Sequence, residues 1–115
     1  MGRFNTTDKL FRDVILRERK NACEWCSKSG VIHIAHILPK GAHPRLRYQR
    51  LNVLLLCVRC HLFRAHKSPL EFQEWITSYK GKTLLDDLRI LERTLPKTDL
   101  KMIKMSLEDM LKDLT

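Results

Sequence analysis

Cys23-Glu24-Trp25-Cys26 is followed, after an interval of thirty residues, by Cys57-Val58-Arg59-Cys60-His61, a second cysteine pair of identical spacing. A two-residue gap lets both sulfurs of a pair face one ion, and two such pairs complete a closed, tetrahedral four-sulfur Zn²⁺ site. A chain of 115 residues has room for about one core, so a structural zinc would supply folding energy that the core alone lacks. A redox dithiol competes as a reading of one pair and leaves the second unexplained. The interval is longer than a simple zinc knuckle permits. The ion therefore clamps the two ends of an inserted unit, and the insert is where function is expected.

Outward from the cysteines, local patterns set the elements. Leu10, Phe11, Val14 and Ile15 recur at helical spacing and predict an amphipathic helix from about Thr7 to Lys20, within an N-terminal helical segment 1–22. Val31 to Ile37 is short, β-branched and bounded by Gly30 and Pro39, which predicts a largely buried strand followed by loop to Pro44. Leu51 to Leu56 reads as a short strand or turn leading into a helix. Ser68-Pro69-Leu70-Glu71 predicts a helix start with Ser as N-cap, Pro at the first position and Glu closing a capping box. The stripe Phe72, Trp75, Ile76 and Tyr79 is expected in the core, and Gly81 closes that helix. Leu84, Leu88, Leu91 and Leu95 form one further face. Leu100, Ile103, Leu107, Leu111 and Leu114 form another, capped by Thr98. These last helices make 68–115 a helical extension, for packing on the domain or for pairing with a second copy as a homodimer.

Charge narrows the partner. The net charge of +9 divides into +10 over residues 1–67 and −1 over residues 68–115. No carboxylate lies between Glu24 and Glu71, while eight Lys and Arg residues do. One-sided depletion of acids points to a polyanion. No apolar run approaches the roughly 20 residues of a membrane span, and the N-terminus shows no apolar secretory segment, so an intracellular location and no membrane partner are expected.

All five histidines, His33, His36, His43, His61 and His66, fall in the same acid-free window. Taken in order, Cys23-x2-Cys26, His36 within Ala35-His36-Ile37, Asn52, and Cys57-x2-Cys60-His61 resemble the zinc-stapled HNH endonucleases, small phage-type members among them. The likeness covers roughly residues 23–67. It implies an α+β fold, a small ββα-metal core clamped by the four cysteines, with flanking N- and C-terminal helices in one domain, 1–115. It also implies a metal-dependent DNA endonuclease, nicking or cutting both strands, that leaves a 5′-phosphate and a 3′-hydroxyl in phage or mobile-element DNA processing.

By that resemblance His36 is the general base, Asn52 holds the loop and the imidazole in register, and His61 ligates a catalytic divalent metal, Mg²⁺ or Mn²⁺ or a softer ion. One position departs from the pattern: many members carry Asp or His directly before the catalytic His, and here that residue is Ala35. His33 shares strand parity with position 35 and is the candidate replacement ligand, against a role in packing or in support of the other histidines, and ligation requires a bulge or a displaced metal to span about 6.6 Å. His66, five residues beyond His61, falls about 140° away on an α-helical wheel and joins the site only if the helix ends between them. Arg45, Arg47 and Arg50, with Arg64 and Lys67, are the DNA contacts. Two rivals share these residues: a non-catalytic zinc-stabilised nucleic-acid-binding module, which Ala35 favours, and a structure-selective nuclease for branched recombination intermediates.

Overall fold

A computed structural model of the protein describes residues 2–114. It is an α+β arrangement of helix α1 (Asn5–Glu18), an antiparallel pair β1 (Ile32–His36) and β2 (Val53–Cys57), a π-helix (Arg59–Ala65), and helices α2 (Pro69–Lys80), α3 (Leu84–Thr94) and α4 (Leu100–Leu114). The strands pair without a break, Ile32 opposite Cys57 through His36 opposite Val53. Val53, Leu54, Leu55 and Leu56 are wholly buried. A strand apolar on both faces must be covered on both. Each such side chain contributes about 1.5–3 kcal/mol.

The cover on α1 comes from Phe11, Val14 and Ile15, as its periodicity predicts. Arg12 donates to the carbonyl of Ile32, and Arg19 donates to those of Val53 (2.9 Å) and Arg50 (2.9 Å), tying the helix to both strands. The helix starts two residues earlier and ends two earlier than expected, with no side-chain cap. Helix α4 lies along α1, and its Leu107 is buried in the shared core while Met102 and Met105 stay exposed. No described helix is long and apolar enough to cross a membrane.

Three local expectations are corrected. Ser68 precedes α2 without capping it through its side chain; its N–H donates to the Arg64 carbonyl (3.0 Å), and Glu71 pairs with the Arg64 side chain (3.1 Å). Thr98 donates to the carbonyl of Pro44 (3.0 Å), and Asp99 takes over the start of α4 by accepting from Met102 N–H (3.2 Å). Of the aromatic stripe on α2 only Ile76 is fully buried. Trp75 stacks on Trp25 (4.7 Å between centroids) and on the exposed Tyr79 (5.1 Å), so the stripe docks α2 on the first cysteine pair more than it fills the core. Gly81 does end α2: its φ of +107° lies where a side chain is strained.

Candidate metal and histidine site

The first cysteine pair sits in a tight turn between α1 and β1, where Ser27 N–H donates to the Cys23 carbonyl (2.9 Å) and Cys23 N–H to that of Lys28 (2.9 Å). Cys57 ends β2, and Cys60 lies in the first turn of the π-helix. Glu24 pins the turn to β2: its N–H donates to the Leu55 carbonyl (2.7 Å), and its carboxylate accepts from Leu55 N–H (2.6 Å) and Arg19 (3.1 Å). All four sulfurs consequently lie within 4.8 Å of one another, unoxidised. A tetrahedral Zn²⁺ with Zn–S of about 2.3 Å needs sulfurs roughly 3.8 Å apart, and Cys26 Sγ and Cys57 Sγ stand at 3.6 Å. The set fits a metal such as zinc. Two of its thiols, Cys23 and Cys60, are pushed in opposite directions. Burial opposes ionisation at Cys23, but N–H groups of Cys57, Cys26 and Trp25 bring that thiol down to about 7. Burial and the neighbouring sulfurs push Cys60 up to about 12. Four sulfurs this close ionise together only around a cation.

Immediately beyond the cysteines, His61 on the π-helix faces β1. His33 Nδ1 and His61 Nδ1 are 2.9 Å apart, within hydrogen-bond distance. The regular pairing of β1 contains no bulge. His33 reaches the site because the π-helix sets His61 directly over it, and Ala35 is packed in the core. Two imidazole nitrogens at this separation also match adjacent ligands of an octahedral ion with bonds of about 2.1 Å. The expectation for His66 is corrected by the winding. In a π-helix the hydrogen bonds run i→i+5, so residues five apart share a face. His61 and His66 rings accordingly lie 4.8 Å apart, edge to face. Burial, followed by the fields of His66, His33 and His36, lowers the His61 pKa to about 4, which keeps it in the neutral form that ligates metals. Among the described residues the cysteines are the group of three or more with every donor atom close enough for one ion. The histidines bring a pair.

His36 stands beside this pair. Its Nε2 lies 2.9 Å from the carbonyl oxygen of Arg47. A carbonyl only accepts, so Nε2 carries the proton and Nδ1 keeps its lone pair. Burial is the main reason its pKa falls below the ordinary value, with the Lys40 and Arg47 charges adding and the Arg47 carbonyl and Asp8 opposing. Asn52, fully buried, holds the intervening loop: its Oδ1 accepts from Leu38 N–H (2.8 Å) and its amide donates to the carbonyls of Leu38 (3.0 Å) and Leu46 (3.2 Å). The asparagine thus ties both ends of the loop that follows β1, and Ile37 N–H donates to its own carbonyl (2.8 Å).

A groove of about 460 Å³ runs past His33, His36, His61 and Lys40, and its far wall is α1, through Asn5, Asp8, Lys9 and Arg12. Those four residues recur at i, i+3, i+4 and i+7, a polar stripe legible in the sequence, although the histidines it faces are not. Asp8 brings a carboxylate to a region whose own sequence has none. The expected DNA contacts divide. Arg47 is gripped by Asp8 (3.0 and 2.6 Å), Arg50 by Glu18 (2.6 and 2.7 Å), and Arg64 pairs with Glu71 and lies 3.9 Å over the Trp25 ring. Arg45 is exposed on a 3₁₀ turn, and Lys67 is exposed near the Phe63 ring (5.3 Å).

No protein-family model matches this chain, and no curated protein or solved structure matches it either.

Proposed function

We propose that this protein is a metal-dependent DNA endonuclease of the HNH type, with His36 as general base and His33 and His61 as ligands of the catalytic divalent ion. The observation that carries the reading is the orientation of His36: the Arg47 carbonyl holds Nε2–H, which leaves Nδ1 free to accept a proton in the groove where the His33–His61 pair meets it. Phosphodiester hydrolysis needs a base for water, a cation for the developing negative charge, and fixed geometry between them. His36 takes the proton at Nδ1, its depressed pKa keeping it unprotonated near neutral pH. Asn52 and the loop it spans hold the imidazole in place. A divalent ion held by His33 and His61 would polarise the phosphoryl oxygen and neutralise the leaving alkoxide.

The charge distribution supports a nucleic-acid substrate. Lys9, Arg12 and Lys40 line the groove, and Arg45 and Lys67 extend the basic surface beyond it. The paired Arg47, Arg50 and Arg64 serve the fold in this reading more than they serve DNA. The four cysteines would hold structural zinc, which fixes His61 relative to β1.

A second reading is favoured by one observation. With Ala35 packed in the core, no carboxylate among the described residues groups with the histidine pair closely enough for one ion, as expected of a zinc-stabilised module that binds nucleic acid without cutting it. Supercoiled plasmid with Mg²⁺, Mn²⁺ or excess EDTA separates the two. Metal-dependent conversion to open-circle or linear DNA that is lost in His36→Ala supports the nuclease, whereas binding without conversion under every metal, on branched DNA as well, supports the module.

A further inference from the structure

Among the described residues Asp8 is the one carboxylate lining the groove, and it grips two consecutive residues of the loop beyond it. Its Oδ1 accepts from Arg47 Nε (3.0 Å) and from the Tyr48 hydroxyl (2.7 Å), and its Oδ2 accepts from Arg47 Nη2 (2.6 Å). Two neighbours on the same part of the chain reinforce the grip. The Arg47 guanidinium lies 3.9 Å over the ring of Phe4, just before α1, and the Tyr48 ring meets Phe11 of α1 edge to face at 5.5 Å. The Arg47 side chain is only 12% exposed, so this is no loose surface pair.

The residue held this way is the one whose carbonyl oxygen takes the proton-bearing nitrogen of His36 (2.9 Å). Asn52 fixes the same loop through Leu38 and Leu46, just upstream, and reaches neither residue 47 nor residue 48. The local turns hold this backbone as well, with Arg47 N–H donating to the Pro44 carbonyl (3.3 Å) and Gln49 N–H to that of Leu46 (3.2 Å), and α1 adds the side-chain hold on Arg47 and Tyr48. We infer that α1 is part of the site and that Asp8 is a positioning residue for His36, acting through the Arg47–Tyr48 backbone. The inference rests on the nuclease reading for its effect on rate, but not for its effect on the imidazole.

A misplacement of about 1 Å of a reacting group costs on the order of 100-fold in rate, which bounds what loosening this loop can do. The test uses the full chain with its zinc, comparing wild type, Asp8→Asn, Asp8→Glu and His36→Ala in plasmid cleavage. In parallel, long-range ¹H–¹⁵N spectra of the histidine rings, recorded without DNA, read the tautomer of His36. Asp8→Asn is expected to lower kcat by about 10- to 100-fold with KM changed less than about 3-fold. It should also weaken the His36 Nε2–H signature, and Asp8→Glu should recover part of both. Arg47→Lys, which keeps the charge and loses the two-pronged contact, replaces Asp8→Asn if that variant fails to fold. If His36→Ala is inactive and Asp8→Asn cleaves at the wild-type kcat, the inference is overturned and the nuclease reading stands. If His36→Ala is as active as wild type, the nuclease reading fails and the spectra decide alone: an unchanged His36 signature in Asp8→Asn overturns the positioning role, and a lost one upholds it.

Discussion

Cys60 and His61 are adjacent in the chain, yet they belong to two clusters built on opposite principles. The sulfurs of the cysteine cluster are mutually within 4.8 Å, with Cys23 and Cys60 almost wholly buried and the turn locked to β2 by Glu24. The histidine cluster offers one pair at 2.9 Å, with His36 beside it and an open groove of about 460 Å³ in front. A complete, buried ligand set suits a structural ion. An incomplete set facing solvent leaves positions for water and substrate. The π-helix joins the two: one end carries Cys60 into the sulfur cluster, and its winding gathers His61 and His66 on one face.

The sharpest way to break the comparison is to remove one cysteine. Cys60→Ser, or prolonged chelation, should cost on the order of 10 kcal/mol of metal-linked folding energy and unfold the region around β1 and β2. Metal analysis should find one zinc per wild-type chain, with circular dichroism collapsing in step with its loss. A protein that keeps its fold when metal-free would contradict the structural assignment.

His36→Ala should do the opposite, lowering plasmid cleavage by about 10²- to 10⁴-fold while zinc content and thermal midpoint hold. Asn52→Ala lies between the two. It strands the Leu38 N–H and two carbonyls in a buried loop, a loss of about 3 kcal/mol in a denaturant titration, with activity falling as the loop loosens.

Acid gives a subtler separation. Burial raises the Asp8 pKa, but the hydrogen bonds from Arg47 and Tyr48 outweigh it, and the net value lies below the ordinary 3.8. A carboxyl lowered in the folded state contributes stability that is complete above its unfolded pKa and is lost as pH falls through the folded one. Wild type should therefore lose stability below about pH 4 more steeply than Asp8→Asn, as read by thermal midpoints across that range. Smallest of all, Arg50→Ala removes a partly exposed pair with Glu18 and should change stability by less than about 1 kcal/mol.

Much of this is legible in the amino-acid sequence. The paired cysteines marked a metal cluster because ligand spacing is a local property, and β1, α2, α3 and α4 followed from local periodicity and breakers. What escaped was set by tertiary choice. Glu71 pairs with Arg64, and the Ser68 N–H that a capping box would offer it is taken by the Arg64 carbonyl. The π-winding around His61 has no local signature in Arg59–Ala65, so an α-helical wheel misplaced His66. Three of the arginines expected to meet DNA are engaged by Asp8, Glu18 and Glu71, of which two sit on α1, far away in sequence. The polar stripe of α1 was visible as a pattern, but only the packing of α1 shows that it faces the histidines.

Whether the groove cuts DNA decides between the two readings. The most direct measurement incubates zinc-loaded wild type and His36→Ala with supercoiled plasmid across Mg²⁺, Mn²⁺ and EDTA. A metal-dependent nuclease with His36 as its base gives open-circle or linear product from wild type with a divalent ion, none in EDTA, and none from His36→Ala. Plasmid that is bound but intact under every metal, or cleavage that survives in His36→Ala, would contradict that reading.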